Sequence, residues 1–202
     1  MLSRSPWVVQ FDAWASSSEV QQLLSDARSK RGRLSQAFAG KQGQLSSAPA
    51  VRNSTSYGCS MAGRQCQVTH PSFAPHMVTI RQRLHLARGH ADGVNVLRYE
   101  PGGFYKLHHD YIPRQSEPQS WQNCGPRQLT FMLYLSDVEG GGATRFPNLG
   151  LTVAPRVGRA LLWTNVHHAH PVARDTRTAH QAMLVTAGAT PGYTWRLEPQ
   201  PP

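Results

Sequence analysis

The spacing of hydrophobic residues changes character about halfway along the chain. Trp7 to Phe11 reads as a short strand, and Ser16-Ser17-Ser18-Glu19 then offers a capping box opening a helix with Val20, Leu23, Leu24 and Ala27 on one face. Positions 31–50 are rich in Gly, Ser, Gln and Ala with no sustained period, which predicts a loop. A second helix is expected over 75–88, where proline suits the first turn and Met77, Ile80, Leu84 and Ala87 fall on one stripe. After it the period becomes two. Segments 94–99, 104–111, 129–135, 143–146, 160–163, 180–186 and 193–197 read as short strands between Gly/Pro turns.

That order of elements predicts a mostly β fold with flanking helices: a jelly roll, or cupin-like double-stranded β-helix, supported by two N-terminal helices. With 202 residues the chain can bury one substantial core, so a single domain is expected, with helical support over 1–92 and the jelly-roll core over 93–198. No stretch approaches the roughly 18 uninterrupted apolar residues of a membrane span, and the first residues lack the apolar core of a signal peptide.

The formal charge is +10, almost all of it arginine, because the only lysines are Lys30, Lys41 and Lys106. A basic surface attracts nucleic acid or acidic peptides, yet these arginines are scattered and form no run, so a nucleic-acid partner is not favoured. Three cysteines are too few for a disulfide scaffold. The close Cys59/Cys66 spacing and the acceptor tripeptide Asn53-Ser54-Thr55 lean toward the endoplasmic reticulum lumen or secretory pathway if the chain is part of a longer precursor. Otherwise a cytoplasmic location is expected.

Ten histidines invite a search for a metal site, and the informative stretch is Tyr105-Lys106-Leu107-His108-His109-Asp110-Tyr111. Side chains at i and i+2 of a strand share a face, so His108 and Asp110 can grip one ion while His109 points away. Two histidines and one carboxylate occupy one face of an octahedral iron and leave three positions open. A second His-x-Asp, His90-Ala91-Asp92, precedes Gly93 and reads as a turn. For the third ligand the candidates are His167, His168, His170 and His180. The first three crowd a loop ending at Pro171, whereas His180 opens Gln181 to Val185, a stretch that can be a buried strand, and this selects His180.

Further motifs stand around these ligands: Arg52-Asn53-Ser54, Leu97 to Tyr105 through Pro101-Gly102-Gly103, Leu129 to Asp137, Gly141-Gly142-Ala143-Thr144-Arg145-Phe146-Pro147, and Asp175 to His180 followed by Gly188. In order and spacing they resemble the prolyl 4-hydroxylase type of 2-oxoglutarate/Fe(II)-dependent dioxygenases. The resemblance implies Fe(II) on His108, Asp110 and His180, 2-oxoglutarate and O2 as co-substrates, and ascorbate as reductant. It also implies that Tyr99, Tyr105 and Thr144 line the co-substrate site, and that the substrate is a prolyl residue in a peptide or protein. Loops over 31–50 and 113–122 are expected to cover it.

One departure stands out. The family carries a lysine, or in some branches an arginine, about ten residues after the distal histidine to pair with the far carboxylate of 2-oxoglutarate. Here that position holds Thr190, and no lysine follows Lys106. Losing a charge-assisted contact to a buried carboxylate costs about 2–5 kcal/mol, so a substitute cation is needed. Arg196 and Arg127 are the candidates, either able to grip a carboxylate in bidentate fashion. Two rival readings follow: a pseudo-oxygenase that binds peptides without efficient turnover, and a dioxygenase that dealkylates nucleic acid.

Overall fold

The computed structural model describes residues 1–28, 33–34, 37–39, 44–46, 49–58, 95–115, 118, 121, 125–186 and 191–197. Its strands are β1 (Ser3–Arg4), β2 (Trp7–Phe11), β3 (Arg33–Leu34), β4 (Ala37–Ala39), β5 (Gln44–Ser46), β6 (Thr55–Gly58), β7 (Asn95–Tyr99) and β8 (Tyr105–His108). They continue with β9 (Leu129–Tyr134), β10 (Thr144–Phe146), β11 (Leu151–Val153), β12 (Ala160–Thr164), β13 (Val166–His167), β14 (His170–Arg174), β15 (His180–Ala182) and β16 (Gly192–Leu197).

The run of β9, Leu-Thr-Phe-Met-Leu-Tyr, is buried on both faces after its first residue, which makes it a central strand. It sits within an antiparallel sheet of order β1-β2-β12-β9-β16-β7-β6-β3, while a second sheet has the order β11-β10-β15-β8. Alternate residues of β9 serve two cores. Phe131 and Leu133, with Leu135 just beyond, pack against Val20, Leu23 and Leu24 of helix α1 (Ser17–Arg28). Met132 and Tyr134 pack toward Phe146, Val153 and Trp163, the side on which the second sheet lies. Each α1 residue, fully buried, contributes about 1.5–3 kcal/mol. Ser16 caps the helix: its backbone N–H donates to Glu19 Oε2 (2.8 Å) and Glu19 N–H returns a bond to Ser16 Oγ (3.3 Å).

The mostly β expectation and the first helix therefore hold, while the second helix, over 75–88, falls outside the described residues. Two expectations need correction. Residues 31–50 contain β3 and the β4–β5 hairpin instead of plain loop; these strands are too short for a period of two to accumulate. The segment 1–92 is more than helical support, because β2 pairs with β12 and β6 with β7, and with β1 and β3 outside them this adds four strands to the main sheet. The histidine-crowded loop is likewise the β13–β14 hairpin.

Asn53 clamps the turn ahead of β8: its Nδ2 donates to Gly102 O (3.0 Å) and its Oδ1 accepts from Phe104 N (2.7 Å). With Ser54 fully buried, the Asn53-Ser54-Thr55 tripeptide is thus a structural device. Gly141 is required at its own position. Its φ of +75° is left-handed and a Cβ there would meet Leu184 O, so only glycine lets the chain cross to Val185 and deliver Thr144 to the second sheet.

Candidate metal centre and adjoining pocket

His108 and His180 are direct partners across the β8–β15 ladder, which brings their imidazoles side by side with ring centroids 4.3 Å apart. Asp110 arrives differently from the expectation. Strand β8 ends at His108, so the carboxylate reaches the pair from the turn beyond and not from an i, i+2 position within the strand. The ligand atoms of His108, Asp110 and His180 all lie within 4.8 Å of one another. Asp110 Oδ1 is 3.6 Å from His108 Nε2, and Oδ2 is 3.5 Å from His180 Nε2.

These separations are too long for hydrogen bonds and slightly wider than the about 3.0 Å between adjacent ligands held at roughly 2.1 Å on perpendicular axes. The tautomers are also set. His108 Nδ1 donates to Lys106 O (2.8 Å) and His180 Nδ1 to Thr178 O (3.0 Å), leaving both Nε2 lone pairs for an ion. Nε2 of His108 is buried and makes no hydrogen bond. A neutral-histidine, ionised-carboxylate donor set of this kind fits a divalent first-row metal such as Fe(II).

Packing holds the imidazoles in place. Tyr105 stacks on His108 at 3.5 Å and an interplanar angle of 14°, with the Arg52 guanidinium 4.6 Å from the Tyr105 ring. Arg52 Nε donates in turn to Ser54 Oγ (2.9 Å), which gives the Arg-x-Ser motif a physical role beside the ligand strand. Trp163 meets His180 edge-on at 4.8 Å. His109, between the two ligands in sequence, is held elsewhere: its Nε2 donates to Asp175 O (2.7 Å) and its Nδ1 accepts from Tyr111 N (3.0 Å). Burial holds its pKa below the ordinary histidine value, so it stays neutral.

A pocket opens from the ligands between the two sheets, lined by Tyr99, Tyr105, His108, Tyr134, Thr144, His180 and Thr194 together with apolar groups including Leu97, Met132 and Val185. Tyr99, Tyr105 and Thr144 thus line one pocket. Thr190 lies outside the described residues. Arg196 pairs through its backbone with Met132 and Asn95, two positions along β16 from Thr194, which pairs with Tyr134 and Leu97. His167, His168 and His170 sit in the β13–β14 hairpin and do not join the cluster.

Sequence reasoning passed over several residues here. Tyr134 donates to Thr144 Oγ1 (2.7 Å), also contacts Val153 O, and burial raises its pKa, so its phenol stays protonated. Thr130 and Asn165, both fully buried, hydrogen-bond behind Asp110. The signal available was a lone polar residue inside an otherwise apolar strand.

Two facing antiparallel sheets thus carry, at one end of the cleft between them, a 2-His-1-carboxylate cluster that could hold a single metal ion. Residues 94–184 match the family model described as the 2OG-Fe(II) oxygenase superfamily. It is similar to prolyl 4-hydroxylase subunit alpha-3 of Homo sapiens, 36% identical over 117 residues that cover 55% of this chain and 22% of that protein. Prolyl 4-hydroxylase subunit alpha-1 of Homo sapiens is 37% identical over 97 residues, covering 47% and 18%. The chain thus spans about a fifth of the length of these curated relatives. Its fold is similar to a viral collagen prolyl hydroxylase from Paramecium bursaria Chlorella virus-1 solved with 2OG, with TM-score 0.71, 20% identity and 97% of each chain covered. A Pseudomonas putida prolyl-4-hydroxylase gives TM-score 0.61 at 14% identity, covering 98% of this chain and 94% of that one.

Proposed function

We propose that this chain is an Fe(II)- and 2-oxoglutarate-dependent dioxygenase with a jelly-roll catalytic core that hydroxylates prolyl residues in a peptide or protein, with ascorbate as reductant. The observation that carries this reading is the meeting of His108, Asp110 and His180 with both Nε2 atoms turned inward at one end of a mostly apolar pocket. Iron bound there supplies the redox capacity to couple oxidation of 2-oxoglutarate to hydroxylation of a C–H bond.

The chain's own residues do the rest. Neutral His108 and His180 and ionised Asp110 hold the ion and leave half its coordination sphere to co-substrates. The hydroxyls of Tyr99, Tyr134 and Thr144 offer hydrogen bonds to a carboxylate deeper in the pocket, and Trp163 Nε1, buried without a hydrogen bond, adds a donor. Leu97, Met132 and Val185 keep that space dry, which strengthens each polar contact. With Thr190 unable to supply a charge, Arg196 is the proposed cation for the distal carboxylate. Its backbone register beside Met132, a residue of the pocket wall, supports this.

The test is succinate formation from 2-oxoglutarate with Fe(II) and ascorbate, scanned to millimolar co-substrate, with and without a proline-rich peptide. The expected result is succinate coupled to the gain of one oxygen atom by the peptide. No turnover at any concentration, with peptide binding retained, would establish the pseudo-oxygenase reading, and salt-sensitive binding to single-stranded DNA with turnover on alkylated bases the nucleic-acid one.

A further inference from the structure

Behind the Asp110 carboxylate runs a buried chain of hydrogen bonds with no part in the chemistry proposed so far. Asn165 Nδ2 donates to Thr130 Oγ1 (2.9 Å), and Thr130 Oγ1 donates to Asp110 Oδ2 (2.8 Å). Asp110 is 5% exposed, and Thr130 and Asn165 are 0% exposed.

The direction of this chain is fixed by proton inventory. An ionised carboxylate only accepts, and a threonine hydroxyl has one proton, so Thr130 gives that proton to Asp110 and receives a bond at its own oxygen. Only the NH2 end of Asn165 can supply it; turning the amide over would set its carbonyl against an oxygen whose proton is already committed. The backbone holds the asparagine in place: its N–H donates to Gln128 O (2.7 Å) and its carbonyl accepts from Asp175 N (3.0 Å). Asn165 Oδ1, in contrast, is buried and makes no hydrogen bond. An unsatisfied interior carbonyl is a net penalty, and a leucine would fill the space without it. The amide NH2 is therefore the working end.

We infer that Thr130 and Asn165 are positioning residues that tether Oδ2 of Asp110 and so orient its carboxylate toward the metal. Oδ1 faces His108 Nε2 at 3.6 Å, while the tethered Oδ2 lies 3.5 Å from His180 Nε2, so the carboxylate stands edge-on between the two imidazoles. Holding that oxygen limits rotation of the carboxylate, so that it would be set in place before an ion arrives. The inference rests on the proposed iron site.

The experiment measures Fe(II) dissociation constants without oxygen, by competition with a chromogenic chelator, in wild type, Thr130→Val, Thr130→Ser and Asn165→Leu. Thr130→Val should weaken Fe(II) binding by about 10- to 100-fold, the usual consequence of losing a partner of a metal ligand. Asn165→Leu, which fills the same volume, should weaken it in the same direction, and Thr130→Ser, which keeps the hydroxyl, should restore most of the affinity. The ligand-field spectrum of the Co(II)-loaded protein should shift in Thr130→Val and not in Thr130→Ser, a change that a purely structural role would not produce. Should Thr130→Val prove unfolded by circular dichroism, Asn165→Leu carries the test. The inference is overturned if Thr130→Val and Asn165→Leu bind Fe(II) as tightly as wild type, or if serine and valine lose affinity equally. A wild-type protein that takes up no Fe(II) overturns the proposed function itself, and does so before any variant is made.

Discussion

The two ends of the pocket are built on opposite principles. At the metal end, three ligands are over-determined: adjacent strands pair His108 with His180, backbone carbonyls fix both tautomers, and Tyr105 and Trp163 clamp the rings. At the inner end, Tyr134 and Thr144 hydrogen-bond to each other, and no lysine or arginine lines the pocket among the described residues. An ion requires fixed donors before it arrives, since its ligands must otherwise be reorganised at the cost of affinity. A carboxylate can instead be met by a few hydroxyls and one long, flexible cation.

That contrast can be broken at either end. The largest effect is expected from Asp110→Ala, which leaves two neutral imidazoles and should lower Fe(II) affinity by more than the roughly 100-fold that marks loss of an outer partner, measured by chelator competition. At the inner end, Arg196→Met should raise the KM for 2-oxoglutarate by about 30-fold to several thousand-fold, matching the 2–5 kcal/mol of a lost charge-assisted contact, and leave the Fe(II) dissociation constant unchanged. Thr190→Lys should lower that KM; no change in either variant would break the assignment of a distal cation.

Smaller effects sharpen the picture. Tyr134→Phe removes one neutral hydroxyl worth about 1 kcal/mol, so the KM for 2-oxoglutarate should rise about fivefold with Fe(II) binding intact. Asp175 lies outside the pocket. Hydrogen bonds from the Arg177 side chain, its backbone N–H and its charge hold the Asp175 carboxyl below its ordinary range. A carboxylate with a depressed folded-state pKa stabilises the fold above its unfolded value of about 3.9, and that stability is lost as pH falls through the folded value. Asp175→Ala should therefore lower stability near neutrality by about 1–3 kcal/mol in a denaturant titration, with the difference from wild type shrinking below about pH 4.

The sequence made the metal end readable because each ligand sits in or beside a strand whose alternation is visible. Leu129 to Tyr134 announces itself through a run of apolar residues, and His180 through the apolar stretch Ala182-Met183-Leu184-Val185 that follows it. The β13–β14 hairpin did not, because two- and five-residue strands rich in histidine and proline carry too little periodicity to outweigh a loop reading. Thr130 left one weak trace, a lone polar residue in an apolar strand, but threonine also reads as ordinary β-propensity, and only coordinates show that its hydroxyl links Asn165 to Asp110. The second helix and Thr190 fall outside the described residues.

The central claim is that three side chains from β8, the turn after it and β15 hold one Fe(II). The most direct measurement is an anaerobic Fe(II) titration of wild type and His180→Ala by isothermal calorimetry. One ion per chain in wild type, with affinity lost in the variant while its circular dichroism is unchanged, is the predicted result. Fe(II) binding by His180→Ala as tight as in wild type would contradict it.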